Sequence, residues 1–280
     1  IRNRYDSSRT AIDHALIVGG LWRLRRHLSS STAMTRGAEV CCIVTVVSMQ
    51  RPTWFLDEAD SLGRENTDPE HVARYDEKED ARAAAEVAML RELLPATTSD
   101  VVDLGAGTGQ FALLAAEQWE NVTAVDPSPV MLDLLRRKAE AALSSLRIVE
   151  AGYLTYDRPA ASVDLIYSRY ALHHLPDFWK AIALSRIRTM LRPGGILRLW
   201  DVVYHFPLDG AIERIEHWCS TGYSTVEGGW TRADLEEHVR DEHSTFTWLL
   251  EPMLGEAGFA IEESDYDDDG IFAKYLLRAI

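Results

Sequence analysis

Cysteine is scarce in this chain, and none of it is placed for structural chemistry. Cys41, Cys42 and Cys219 match neither the paired spacing of a zinc site nor the even, dense framework of a disulfide-stapled domain. A reducing, cytoplasmic setting is therefore expected. Long apolar runs are also missing: the longest near the start, Val40 to Met49, falls well short of the roughly 20 residues of a membrane span, so no membrane association is expected. Basic charge is absent from most of the chain. The formal net charge is -15, yet residues 1–50 hold seven arginines, no lysine and three acids, or +4, which leaves -19 for residues 51–280. Nonspecific nucleic-acid binding needs basic surface, and no nucleic-acid partner is expected for so acidic a body.

What is present suits one globular domain with additions: 280 residues, 46% of them hydrophobic and 26% charged, a composition ordinary for soluble proteins. The Arg- and Ser-rich opening has the flavour of a transit peptide. The first residue is Ile1, however, and Met49 stands just before the sequence turns acidic and periodic. Residues 1–48 are accordingly expected to be a disordered or non-native extension, and residues 49–280 the folded domain.

That domain is organised around Val101-Val102-Asp103-Leu104-Gly105-Ala106-Gly107-Thr108-Gly109-Gln110. An apolar run ending in an acid and followed by three alternate glycines reads as a strand, a tight turn and a helix. Glycine permits positive φ and lets a ligand approach the main chain, while the helix aims its unpaired amides at the same place. The spacing is Gly-x-Gly-x-Gly, one residue shorter than the dinucleotide pattern. A second strand, Val122 to Asp126, ends in a carboxylate about 20 residues past the first glycine, where it would accept hydrogen bonds from both ribose hydroxyls. An adenosine-containing ligand is implied. The remaining strands and helices alternate: strands over 101–104, 121–125, 146–150, 163–167 and 196–203, with helices from Gln110, over 129–143 and over 177–190. This pattern predicts an α/β, doubly wound, mostly parallel sheet with ligands beyond its carboxyl ends.

These blocks resemble the class I S-adenosylmethionine-dependent methyltransferases. The resemblance rests on Val-Val-Asp-Leu-Gly-Ala-Gly-Thr-Gly at 101–109, Val-Asp-Pro-Ser at 125–128, Val-Asp-Leu-Ile-Tyr-Ser at 163–168, Ala-Leu-His-His-Leu at 171–175 and Leu-Arg-Pro-Gly-Gly-Ile-Leu at 191–197, in the family's order. It implies a seven-stranded Rossmann-like sheet whose last strand is antiparallel, here the hairpin of Ala260–Tyr266 and Ile271–Leu277. It implies S-adenosylmethionine as cofactor and a small molecule as methyl acceptor. Gly105, Gly107 and Gly109 would hold the methionine side, Asp103 would order the turn and Asp126 would hold the ribose. Tyr75 would cover the methionine end, and Ser168, Arg169 and Tyr170 would border it. Pro127 and Met131 are candidates for an adenine wall, with core packing of Met131 an equal alternative. The family's usual acid after the third strand is absent from Glu150-Ala151-Gly152-Tyr153-Leu154, which leaves the Gly152 and Tyr153 backbone and the Tyr153 ring for the base.

Two readings of His173-His174 stand open. An imidazole beside the reacting methyl group would take a proton from the acceptor, with His174 the favoured base; alternatively one histidine caps a helix or fills the core. No metal site is expected, because adjacent histidines point apart and no third ligand is evident. Asp201 either faces substrate or makes a structural hydrogen bond. Arg192-Pro193-Gly194-Gly195 reads as a turn before the fifth strand. The Trp54-Phe55-Leu56 cluster anchors either a lid or a surface loop. Residues 205–245, rich in aromatics and acids, fall where the family inserts a substrate cap. Rival readings are a noncatalytic module binding the same cofactor and a nicotinamide-dependent oxidoreductase, the latter disfavoured by the glycine spacing.

Overall fold

A computed structural model of the chain describes residues 52–60, 62–73, 82–222 and 230–280. The expected N-terminal extension and Tyr75 lie outside the described residues. Ahead of the sheet come two short helices, α1 (Arg64–Thr67) and α2 (Pro69–Ala73), then α3 (Ala83–Leu93). Val101, Val102 and Leu104 are at most 1% exposed, as a strand covered on both faces requires, and they form β1 (Asp100–Leu104). Strands and helices then alternate through α4 (Gln110–Ala115), β2 (Asn121–Asp126), α5 (Pro129–Ala141), β3 (Arg147–Glu150), β4 (Val163–Arg169), α6 (Asp177–Met190) and β5 (Leu191–Tyr204). After β5 come α7 (Ala211–Thr221), α8 (Arg232–Asp241), the two-residue β6 (Thr245–Phe246), α9 (Thr247–Glu256), β7 (Phe259–Tyr266) and β8 (Phe272–Ala279).

The strands order as β3-β2-β1-β4-β5-β8-β7, with β6 paired to β5 off this path. β1 to β5 pair in parallel, and β8 runs antiparallel to both β5 and β7. This is the expected doubly wound sheet with its last strand reversed. The chain moves outward from β1 to β3, then restarts on the other side of β1 at β4. The order therefore reverses between β1 and β4, and a crevice opens beyond their carboxyl ends. Among the described residues no helix is long and apolar enough to cross a membrane.

Local chemistry fixes the helix starts around that crevice. Ser128 caps α5 by accepting the Met131 N–H at 3.2 Å, with Pro129 in the first turn, where a missing N–H costs nothing. Thr231 and Asp234 form a reciprocal capping box at α8. One expectation needs correction. Arg192 to Gly195 is not a turn ahead of β5 but a bulge inside it: Val163 pairs with Leu191 and Leu165 with Ile196. Proline and a positive-φ Gly194 (φ +77°) interrupt the ladder without ending the strand.

α3 is fastened to β5 by a bidentate ion pair. Glu86 accepts hydrogen bonds from Arg198 Nε at 2.7 Å and Nη2 at 2.8 Å, and both residues are under 9% exposed. Removing one partner of such a pair leaves an uncompensated buried charge. Glu86→Ala is expected to destabilise the domain by about 3 kcal/mol, read as a lower urea midpoint, while a Glu86→Ala/Arg198→Met double variant recovers much of the loss.

Candidate active site

The glycine turn is pinned by backbone and carboxylate hydrogen bonds. Gly105 and Ala106 donate their N–H groups to the Val125 carbonyl at 2.8 and 3.0 Å, tying the end of β1 to β2. Gly107 N–H donates to Asp126 Oδ2 at 2.8 Å, and Ser128 N–H donates to Asp126 Oδ1 at 2.8 Å. Asp103 Oδ2 accepts the Ala112 N–H of α4 at 3.1 Å, tying the end of β1 to the helix that follows the glycines. Burial pushes the Asp103 carboxyl up to about 8 against that hydrogen bond, and pushes Asp126 up to about 6 against its two.

The three glycines differ in what they do. Gly105 (φ +80°) needs its missing side chain, because a Cβ there would lie 2.4 Å from the Ala171 Cβ. Gly105 and Gly107 line the cleft. Gly109 (φ +82°) does not: its Cβ would strike Leu135 of α5 at 2.1 Å, so it serves close helix packing.

Of the other residues singled out from the sequence, Asp103, Asp126, Pro127, Tyr153 and Arg169 line the same cleft. Met131, 1% exposed, is core and no part of the cleft wall, because it lies on the face of α5 that buries Leu132, Leu135 and Ala139. Ser168 and Gly152 also sit behind the lining. Ser168 Oγ lies 2.5 Å from the Tyr153 hydroxyl, which also donates to the Leu104 carbonyl at 3.4 Å. Tyr153 thus reaches the ends of β1 and β4.

Sequence reasoning missed Glu58. Its Oε2 accepts the Leu154 N–H at 2.8 Å, it is 6% exposed and it lines the cleft. Gly152 makes room, since a Cβ there would lie 2.4 Å from the Glu58 carboxylate. An acid thus stands beside the loop after β3, delivered from 96 positions upstream. Trp54 and Phe55 hold this segment by packing on Trp179 of α6, with ring centres 6.2 and 4.9 Å apart. Asn66 adds its carbonyl, which accepts the Ser128 hydroxyl.

A second chamber of about 640 Å³ opens next to the cleft and shares Asn66, Arg169, Tyr170 and His174 with it. Its walls include Tyr170, Trp200, Trp218 and Phe272. Arg169 Cζ and Lys274 Nζ each lie 4.1 Å from the Trp200 ring centre, within the range of cation–π attraction. Tyr170 adopts φ +50°, a conformation uncommon outside glycine and enriched at sites.

The adjacent histidines diverge in role. The short helical turn Leu172–His174 buries His173, whose N–H donates to Asp201 Oδ2 at 3.0 Å and whose Nδ1 lies 2.5 Å from Asp201 Oδ1. Its Nε2 lies 3.0 Å from Glu242 Oε2. Burial pulls the imidazole down, but the Asp201 charge and hydrogen bond, with Glu242, hold it above its usual range. Asp201, 2% exposed, is therefore structural. His174 borders both cavities; burial and the neighbouring His173 charge lower it to about 4. Its Nε2 is 3.5 Å from Asn66 Nδ2.

A methyltransferase-domain family model matches residues 101–195, the segment from β1 to the β5 bulge. An uncharacterized methyltransferase of Mycobacterium tuberculosis is 32% identical over 168 residues, covering 55% of this chain and 82% of that protein. The chain is a class I S-adenosylmethionine-dependent methyltransferase. A second uncharacterized methyltransferase, from Anoxybacillus flavithermus, is 29% identical over 161 residues, 58% of this chain and 69% of its own. The solved structure of an S-adenosylmethionine-dependent methyltransferase from Mesorhizobium loti shares the fold, with a TM-score of 0.52 at 22% identity over 71% of this chain and all of that one. S-adenosylmethionine is accordingly the cofactor of this methyltransferase, and the glycine cradle beside a buried carboxylate fits an adenosyl group.

Gly105→Ala combines a disfavoured φ with a collision, whereas Gly194→Ala has a similar φ of +77° and open space around it. The Gly194 change is expected to cost roughly 1–2 kcal/mol and Gly105→Ala clearly more, compared by urea unfolding. Equal losses would show that the Ala171 contact relaxes.

Proposed function

We propose that this methyltransferase acts on a small, planar acceptor held in the aromatic chamber. The observation that carries this reading is the junction of chamber and cleft at Asn66, Arg169, Tyr170 and His174, which lets an acceptor in one meet a cofactor in the other. S-adenosylmethionine supplies a methyl group made electrophilic by its sulfonium, so the protein chiefly has to align and desolvate. Gly105 and Gly107 form the cradle, Asp126 offers its remaining lone pairs to the ribose hydroxyls, and Arg169 and Tyr153 border the methionine side. Glu58 and the backbone around Tyr153 face the adenine side. Trp200 and Tyr170 supply the surface on which a ring stacks. α7 and α8, which carry Trp218 and Leu235 into the chamber wall, act as the cap that residues 205–245 suggested. His174 is the group placed to receive a proton from the acceptor.

Cofactor release of S-adenosylhomocysteine, monitored over a panel of aromatic alcohols, amines and acids, tests the reading. Turnover by the full chain on one class supports it. Transfer only to protein or nucleic acid would overturn it. On a competent acceptor, His174→Ala is expected to lower kcat about 10²–10⁴-fold with little change in S-adenosylhomocysteine affinity. Binding through Asp126 requires the carboxylate, and protons compete for it. Affinity for S-adenosylhomocysteine should therefore weaken as pH falls through about 6, and Asp126→Asn should weaken binding at neutral pH and flatten that dependence, both readable by calorimetry.

A further inference from the structure

The third ligand that the sequence hides is Glu242. We propose that His173, His174 and Glu242 form a site for a divalent transition-metal ion on the wall of the acceptor chamber. One ligand atom from each lies within 4.8 Å of the others, and His173 Nε2 and Glu242 Oε2 are 3.0 Å apart. Bonds of about 2.0–2.2 Å to one ion in a tetrahedral arrangement put ligand atoms roughly 3.3–3.6 Å apart, a spacing the three reach with small side-chain adjustments.

The surroundings are those of a ligand set rather than of a simple ion pair. Metal-binding imidazoles characteristically anchor their second nitrogen to an outer partner. Asp201 does this for His173 at Nδ1, 2.5 Å away. His238 lies beside the site in the same attitude: its Nε2 is 2.8 Å from Ser244 Oγ, and its Nδ1 contacts Glu242 Oε2. Yet that oxygen is buried and, among the described residues, receives no aligned hydrogen bond. Two ring nitrogens, His173 Nε2 and His238 Nδ1, crowd that one oxygen, and the third imidazole, His174, brings a nitrogen to the same cluster. An imidazolium held between two carboxylates accounts for His173 alone. It does not account for a nitrogen of His174 converging on the same point.

Two imidazoles and a carboxylate suit zinc, iron(II), cobalt(II) or manganese(II), and leave coordination positions open. All three residues line the chamber, whose wall also carries Asp265, Asp267, Asp268 and Asp269, a field that concentrates cations. The ligand class such a centre takes from the chamber is an acceptor bearing a hydroxyl or carboxylate oxygen. This rests on the methyl-transfer reading and revises one role in it: with an ion bound, His174 is a ligand, and the activity lost in His174→Ala is lost with the ion.

The test is a cobalt(II) titration of the chelator-stripped full chain, followed by its visible d–d bands, with zinc calorimetry alongside. S-adenosylhomocysteine binding is measured on the same samples. Saturable binding of one ion per chain is expected, weakened at least about 100-fold in Glu242→Gln and in His174→Gln, and about 10–100-fold in Asp201→Asn, an outer-partner change. The absence of saturable cobalt or zinc binding in protein that still binds S-adenosylhomocysteine would overturn the site. So would affinity unchanged in both ligand variants. Loss of S-adenosylhomocysteine binding by the unaltered chain would count against the methyl-transfer reading instead, leaving the metal result to stand by itself.

Discussion

One carboxylate, accepting two backbone N–H groups, holds the ligand end of this sheet in shape. Asp126 receives Gly107 N–H and Ser128 N–H at 2.8 Å each, so the turn after β1 and the start of α5 are fixed to a single side chain. Burying an anion is costly without such partners. Here burial outweighs the two hydrogen bonds enough to raise the carboxyl to about 6, and the group still ionises at neutral pH. The N-terminus of α5, a region of partial positive charge, begins three residues on at Pro129.

The two halves of the site are built from different materials. The cleft joins a glycine turn held by backbone hydrogen bonds to a few buried side chains, among them Glu58, Asp126 and Tyr153. The neighbouring chamber is walled mostly by side chains, drawn from β4, β5, α7, α8 and the turn before β8. This division follows from the demands on each half. A cofactor of constant shape can be met by fixed main-chain geometry. An acceptor pocket needs distinct aromatic and polar groups, which late additions to a common sheet can supply without disturbing the cradle.

The buried polar network around His173 lies between those halves. Asp201 on β5, His173 after β4 and Glu242 after α8 come from three parts of the chain. Each is a titratable group whose charged form burial alone would disfavour, and each finds a partner in the others. The network therefore ties the α7–α8 segment to the sheet and sets how His174 presents itself at the junction.

The sheet, the glycine turn and the Asp126 strand end were legible in the sequence because each depends on contacts local in the chain: apolar runs, a turn that only glycine satisfies, an acid closing a strand. Element ends moved where local rules met a longer-range one, as when pairing with β4 carried β5 through Pro193 and its glycines. Met131 sat at a helical position compatible with cleft or core, and packing of the α5 face that carries Leu132 and Leu135 decided for the core. Glu58 and Glu242 gave no signal, since a lone acid in a polar stretch looks like any solvated one, and Asp201 stood out in its apolar strand without showing which partner it would meet. The sequence by itself determined the fold and the glycine turn at the end of β1. Only the tertiary structure decided which acids were buried and against what, because those partnerships are made by close packing between segments up to 96 positions apart, a distance over which no periodicity or spacing carries information.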